Sequence, residues 1–131
     1  MNRFEKARYL IAGVLLVCAI NSGSAGNSVD HLRVYRQQGI SETDQNHGRQ
    51  LWNSVVNGRS CTSCHGRSPG EVGKHAKTGK PIQPMALSVS PGRYQDGNKI
   101  EKWLLRNCKW TLGRQCSLQE KADLLTWLSS Q

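Results

Sequence analysis

Two cysteines three positions apart, followed at once by a histidine, constrain this 131-residue chain more than any other feature. Residues 61–65 read Cys-Thr-Ser-Cys-His. Thiols at that spacing can both reach the vinyl groups of one porphyrin, and the adjoining histidine is then carried beneath the iron. The motif reads as the covalent attachment site of one haem c, with Cys61 and Cys64 as the thioether positions and His65 as an axial iron ligand. Two rivals share the cysteine spacing. A thioredoxin-type redox pair needs a βαβ context, which is absent from the pattern. Half of a zinc site needs two more ligands at metal spacing, whereas Cys108 and Cys116 stand eight residues apart.

The N-terminal segment is read separately. Arg3, Lys6 and Arg8 precede an apolar run from Leu10 to Ile20, and small polar residues follow as far as Ala25. That is the layout of a secretory signal peptide, residues 1–25. The run is too short to span a bilayer comfortably, so no stable membrane anchor is expected after cleavage. The expected location is the periplasm. Cleavage takes the 18 basic and 9 acidic residues to 15 and 8, a net charge of +7. Cys18 leaves as well, so four cysteines remain, an even count suited to an oxidising compartment. With two held by the haem, Cys108 and Cys116 are free to join each other. A basic domain suits an acidic redox partner, because charge steers their encounter; Lys74, Lys77 and Lys80 form the natural patch. Export and the lack of a binding motif argue against nucleic acid.

Residues 26–39 carry no periodicity and read as a leader, which leaves residues 40–131 as the single domain. Ser41-Glu-Thr-Asp44 resembles a capping box and opens a first helix, with Gly48, Leu51, Trp52 and Val55 at helical spacing and Gly58 as its stop. Residues 66–98, rich in glycine and proline, read as one long loop that wraps the haem. Asn98 is placed to cap a second helix over residues 99–107. There Ile100, Trp103, Leu104 and Asn107 share one face. Gly113 breaks the chain. Ser117-Leu-Gln-Glu120 is a full capping box for a last helix, whose buried stripe is Leu124, Trp127 and Leu128. No strand pair stands out, so the expected fold is all-α.

The sixth coordination position is open on these grounds. Met85 is a thioether candidate, suited to low-spin iron, but it stands only 20 residues after His65. Packing against the ring is its other reading. His31, His47 and His75 are nitrogen donors without a pattern, and surface placement is the simpler reading for each. Asn107 is a polar side chain on an apolar helix face. Buried, its amide must find a partner or cost about 1–3 kcal/mol; iron is one partner, a backbone group at the helix end is another.

Two resemblances bear on that choice. Gly48-Arg-Gln-Leu-Trp52 before the haem motif and Asp123-Leu-Leu-Thr-Trp127-Leu128 after it resemble the crossing helices of class I cytochromes c. Pro84-Met-Ala86, Lys99-Ile-Glu-Lys-Trp103, Arg106-Asn-Cys108 and Gly113-Arg-Gln-Cys116 further resemble the sphaeroides haem protein family, formerly a domain of unknown function, over about residues 40–130. These are small exported monohaem cytochromes. The resemblance implies His65 and Asn107 as the axial ligands and a Cys108–Cys116 disulfide, with Trp103 and Met85 lining the haem pocket. It implies electron transfer with a dihaem or multihaem cytochrome as donor, and binding of O2 or NO once reduction releases the asparagine. An O2-reducing terminal role is a further implication. A His65/Met85 electron shuttle and a haem-based gas sensor or scavenger are the alternatives.

Overall fold

The computed structural model describes residues 28–131; the expected signal peptide lies outside them. Five helices and one short hairpin follow in order: α1 Ser28–Gln37, α2 Gln45–Asn53, α3 Thr62–His65, β1 Gly73–Lys74, β2 Pro81–Ile82, α4 Gly97–Leu112 and α5 Leu118–Ser129. The regular structure of the described chain is mostly helical, as expected. None of the described helices is long and apolar enough to cross a membrane.

The helix ends show what terminates each element. Ser117 accepts from the Glu120 amide, and the Glu120 carboxylate accepts from the Ser117 amide, the reciprocal box expected for α5. Such a cap contributes about 1 kcal/mol. Gly113 follows α4 at φ 72°, a left-handed position that glycine adopts without a Cβ clash. Two starts differ from expectation. Asp44, and not Ser41, caps α2, accepting from the amides of Asn46 and His47. Asp96, and not Asn98, caps α4, accepting from the Lys99 amide. In both cases a carboxylate nearer the first turn complements the free amides and the positive end of the helix. α2 also ends before Val55 and Gly58; Gly58 serves instead in the turn that bridges Val56 and Arg59.

α2 and α5 form the centre of the molecule. They cross at Gly48, where a Cβ would run into the Asp123 backbone and lie 2.9 Å from the Trp127 Cβ. Trp52 and Trp127 pack beside the crossing with their ring centroids 5.5 Å apart and their planes tilted by 58°. Leu124, Trp127 and Leu128 are buried as expected, together with Ala122 and Leu125. Asp123 is buried with them, 1% exposed. It accepts from the Asp44 amide at 2.7 Å and the Gln119 amide at 2.8 Å, and its other oxygen lies 2.7 Å from His47 Nδ1. Those bonds make a buried carboxylate tolerable and lock α2 to α5.

The segment expected to be a leader is largely helical. α1 packs on α5 and buries Tyr35 and His31. The folded unit therefore includes residues assigned to the leader. Residues 66–96 are mostly irregular, as expected, apart from the antiparallel β1–β2 pair, in which Gly73 faces Ile82.

Candidate functional site

The attachment motif sits on α3, a single helical turn. The amides of Cys64 and His65 both donate to the Cys61 carbonyl, at 3.2 and 3.0 Å. Ser63 Oγ accepts from the Ser60 amide and anchors the start of the turn. Gly73 lets the hairpin lie against it, since a Cβ there would come 2.8 Å from His65 Cα. Cys61 and Cys64 line the same space as the His65 ring.

That space is a cavity of about 840 Å³. Its floor is α3 with Trp52. One wall is the buried stripe of α5, Leu124, Leu125 and Leu128; another is α4, with Ile100, Trp103, Leu104, Asn107 and Trp110. Ile82, Met85, Arg93 and Tyr94 close it from the loop. Four cations, Lys77, Arg93, Lys99 and Arg106, reach its lining, and none of the described lining residues is a carboxylate. Apolar walls with a cationic edge suit a flat macrocycle that carries acidic side arms.

The His65 imidazole is prepared as a ligand. Burial, helped by the Arg93 charge, pulls its pKa down to about 4. The ring is therefore neutral at neutral pH, which a metal ligand requires. Its Nδ1 is buried and makes no hydrogen bond among the described residues. The Trp52 ring backs it at 5.3 Å. Burial pushes the Cys61 thiol up to about 11, so it stays protonated until it reacts. The donor set and the cavity fit a covalently attached haem.

Both proposed pocket residues, Trp103 and Met85, line the cavity. Met85 packs on the hydrophobic core, and its backbone is held on both sides: its amide donates to the Pro69 carbonyl at 2.7 Å and its carbonyl accepts from Tyr94 Oη. Asn107 is half-buried on the cavity side of α4. α4 runs on to Leu112, so Asn107 is not at a helix end. Its amide makes no hydrogen bond among the described residues, while its backbone carbonyl accepts from Thr111 Oγ1 at 2.8 Å. Cys108 and Cys116 are joined in a disulfide with a Cα–Cα distance of 5.6 Å, and both border the cavity.

The histidines divide. His75 is exposed at the cavity mouth, its Nδ1 accepting from the amides of Lys77 and Thr78. His47 is taken by Asp123. His31, read as a surface residue, is buried and lies 2.9 Å from Glu101. The sequence reading missed Tyr94 and Trp110 as lining residues. Tyr94 stands alone in an irregular loop, where no periodicity marks it. Trp110 lies three residues beyond Asn107 and would have been found had α4 been given its full length.

Comparison with known proteins decides the family. The profile of a domain of unknown function, DUF1924, matches residues 38–128. The chain belongs to the DUF1924 family, that of the sphaeroides haem protein. It is 37% identical over 129 residues to cytochrome c-type protein SHP of Cereibacter sphaeroides, covering 95% of this chain and 98% of the relative. The structure is similar to that of oxidised SHP, an oxygen-binding cytochrome c: TM-score 0.74, 39% identity, 81% of this chain and 100% of that one. It is also similar to the solution structure of Methylophilus methylotrophus cytochrome c'', with a TM-score of 0.63, 27% identity, and coverage of 79% and 90%. This DUF1924 member is a monohaem cytochrome that carries covalently bound haem c. Cys61, Cys64 and His65 are the residues present to hold it.

Proposed function

We propose that this cytochrome is a periplasmic electron carrier whose iron is held by His65 and Asn107, and that reduction frees the Asn107 side to accept O2 or NO. Haem c in the cavity supplies one-electron storage and a coordination position for a diatomic ligand. The chain's own residues supply the rest. The observation that carries the reading is the Asn107 amide: mid-helix, facing the cavity, and without a hydrogen-bonding partner among the described residues. Half-buried and facing the cavity, the amide is available to a group held there.

An amide oxygen is a hard, neutral and weak donor, so it holds ferric iron better than ferrous iron. Reduction then lets Asn107 turn aside. The Cys108–Cys116 bridge limits how far it swings. SHP is described as an oxygen-binding cytochrome c, and ligand detachment is described for cytochrome c'', which supports the same behaviour here. Met85 has a different part. Its pinned backbone and its packing on the core make it a wall that keeps water from the cavity. Lys74, Lys77 and Lys80, all exposed on the hairpin, offer a docking patch to an acidic redox partner such as a dihaem or multihaem cytochrome.

The test compares Asn107→Ala with Met85→Ala in holoprotein. Asn107→Ala is expected to change the ferric absorption spectrum and to speed CO binding after reduction, with Met85→Ala altering neither strongly. A ferric spectrum with a thioether-to-iron charge-transfer band, lost in Met85→Ala, would replace this reading with the His/Met shuttle.

A further inference from the structure

α4 carries the proposed ligand, yet it packs closely along no other helix among the described residues. The cavity lies between it and α5. Ile100 seats it in the hydrophobic core with Leu104 packed beside it, and Arg59 donates to the Trp110 carbonyl at 3.5 Å. Two further attachments lie one on each half of the helix. One is covalent, the Cys108–Cys116 disulfide. The other is Glu101, on the first half of the helix. One Glu101 oxygen lies 2.9 Å from His31 Nε2 and accepts from Tyr35 Oη at 2.6 Å; the other accepts from Lys121 Nζ at 2.7 Å. Two of these groups come from α1 and one from α5. α1 also presses on the first turn of α4, where a Cβ at Gly97 would sit 2.8 Å from His31 Nδ1.

This cluster lies outside the cavity, and the function proposed above makes no use of it. Three protein groups fill most of the acceptor sites of a carboxylate that is partly exposed, and Tyr35, which supplies one of them, is among the most buried of the described residues. Glu101 precedes Asn107 by six residues, about 9 Å along the helix axis. With Ile100 as an apolar seat in the core, the attachments on the two halves of the helix fix its tilt. Releasing the Glu101 end lets α4 tilt about the disulfide, which re-aims the Asn107 amide and draws Trp103 and Leu104 back from the cavity.

We propose that Glu101 is a positioning residue for the sixth coordination site: by gathering His31, Tyr35 and Lys121 it sets the tilt of α4, and with it the aim of Asn107. α1 is thereby a clamp on the ligand helix. The proposal rests on Asn107 being the ligand.

The experiment uses holoprotein carrying Glu101→Gln, Tyr35→Phe, Asn107→Ala and the Glu101→Gln/Asn107→Ala pair. The readouts are the ferric spectrum, the rate of CO binding after reduction, and thermal stability. Glu101→Gln is expected to shift the ferric spectrum and raise the CO rate about three- to tenfold, with a smaller rise in Tyr35→Phe. In the double variant the Glu101→Gln effect on CO should vanish, because the group it aims is gone. Tyr35→Phe keeps the carboxylate and Lys121 in place, so it reports even if Glu101→Gln folds poorly. A lowered melting temperature with unchanged spectrum and CO rate in both single variants would make Glu101 a structural staple only. Additive effects in the pair would also overturn the proposal. An unaltered spectrum in Asn107→Ala would overturn the ligand assignment itself, and the clamp with it.

Discussion

The α2–α5 crossing and the α4 wall border the same cavity and are built on opposite terms. At the crossing, Gly48 admits one backbone against another, two tryptophans pack together, and the Asp123 carboxylate is fully bonded. Little there can shift without loss of packing. α4 stands across the cavity with Ile100 in the core, the disulfide and Glu101 as its main attachments, Trp103 53% exposed, and the Asn107 amide without a hydrogen-bond partner among the described residues. The difference teaches where each job is done. The crossing supplies the packing and the floor under His65, and the less tightly packed wall suits the releasable ligand that the proposed function assigns to it.

The contrast can be broken or sharpened by substitution. Gly48→Ala should have the largest effect on stability. Its Cβ meets the α5 backbone, and overpacking of this kind costs about 1–3 kcal/mol. For a domain of this size that lowers the holoprotein melting temperature by roughly 5–20 °C. A melting temperature within a degree of wild type would show that the crossing is not the stabilising centre. Replacing Cys108 and Cys116 by serine comes next. Opening so short a loop costs at most about 2.5 kcal/mol, below the upper end for overpacking at Gly48. It should also speed CO binding after reduction, an effect that Gly48→Ala lacks.

A smaller contribution depends on pH. For Glu101, burial acts to raise the pKa, but hydrogen bonds from Lys121, Tyr35 and His31 outweigh it and bring the carboxyl down to about 2. For Glu120 the Arg114 hydrogen bond leads, and the result is also about 2. A carboxyl lowered from 4.5 by folding stabilises the folded state above pH 4.5, and that part is lost as pH falls towards 2. Partial exposure of Glu101 trims it further. Melts from pH 7 to pH 2 should show the gap between wild type and Glu101→Gln closing across that window, and a gap of constant size would contradict the assignment. Asn107→Ala should have the smallest effect on the melt of the reduced holoprotein, below about 0.5 kcal/mol, because the amide bonds to no protein group among the described residues and, on the proposed reading, no longer holds the iron. Its effect on the spectrum should be the largest of the set.

These two regions also differ in how far they could be read from sequence. The floor was legible. The haem motif is contiguous, Gly48 and Trp52 lie one turn apart, and the Ser117–Glu120 box is local, so nothing distant was needed to find them. The C-terminal end of α4 was not legible: the sequence reading stops the helix at residue 107, whereas it runs on to Leu112 and ends at Gly113. What else escaped rests on long-range pairing. α1 buries only a few residues, and its polar ones find their partner, Glu101, some seventy positions away. Without that partner the segment carries no stripe and reads as a leader. Asp123 looked like one polar residue among the leucines of α5, since its donors come from α2 and from a neighbouring turn. The caps Asp44 and Asp96 lost out to nearby residues of similar propensity, a choice that only the path of the first turn decides. Asn107 could be placed on the right face by spacing alone, but not without rivals: Met85 reaches the same cavity from the loop.

The most direct test of the account is a pair of crystal structures of the holoprotein, ferric and fully reduced. The account predicts the Asn107 side-chain oxygen on the iron opposite His65 in the ferric form, and the same side chain turned aside after reduction. Met85 sulfur in that position, or Asn107 directed away from the iron in the ferric protein, would contradict it.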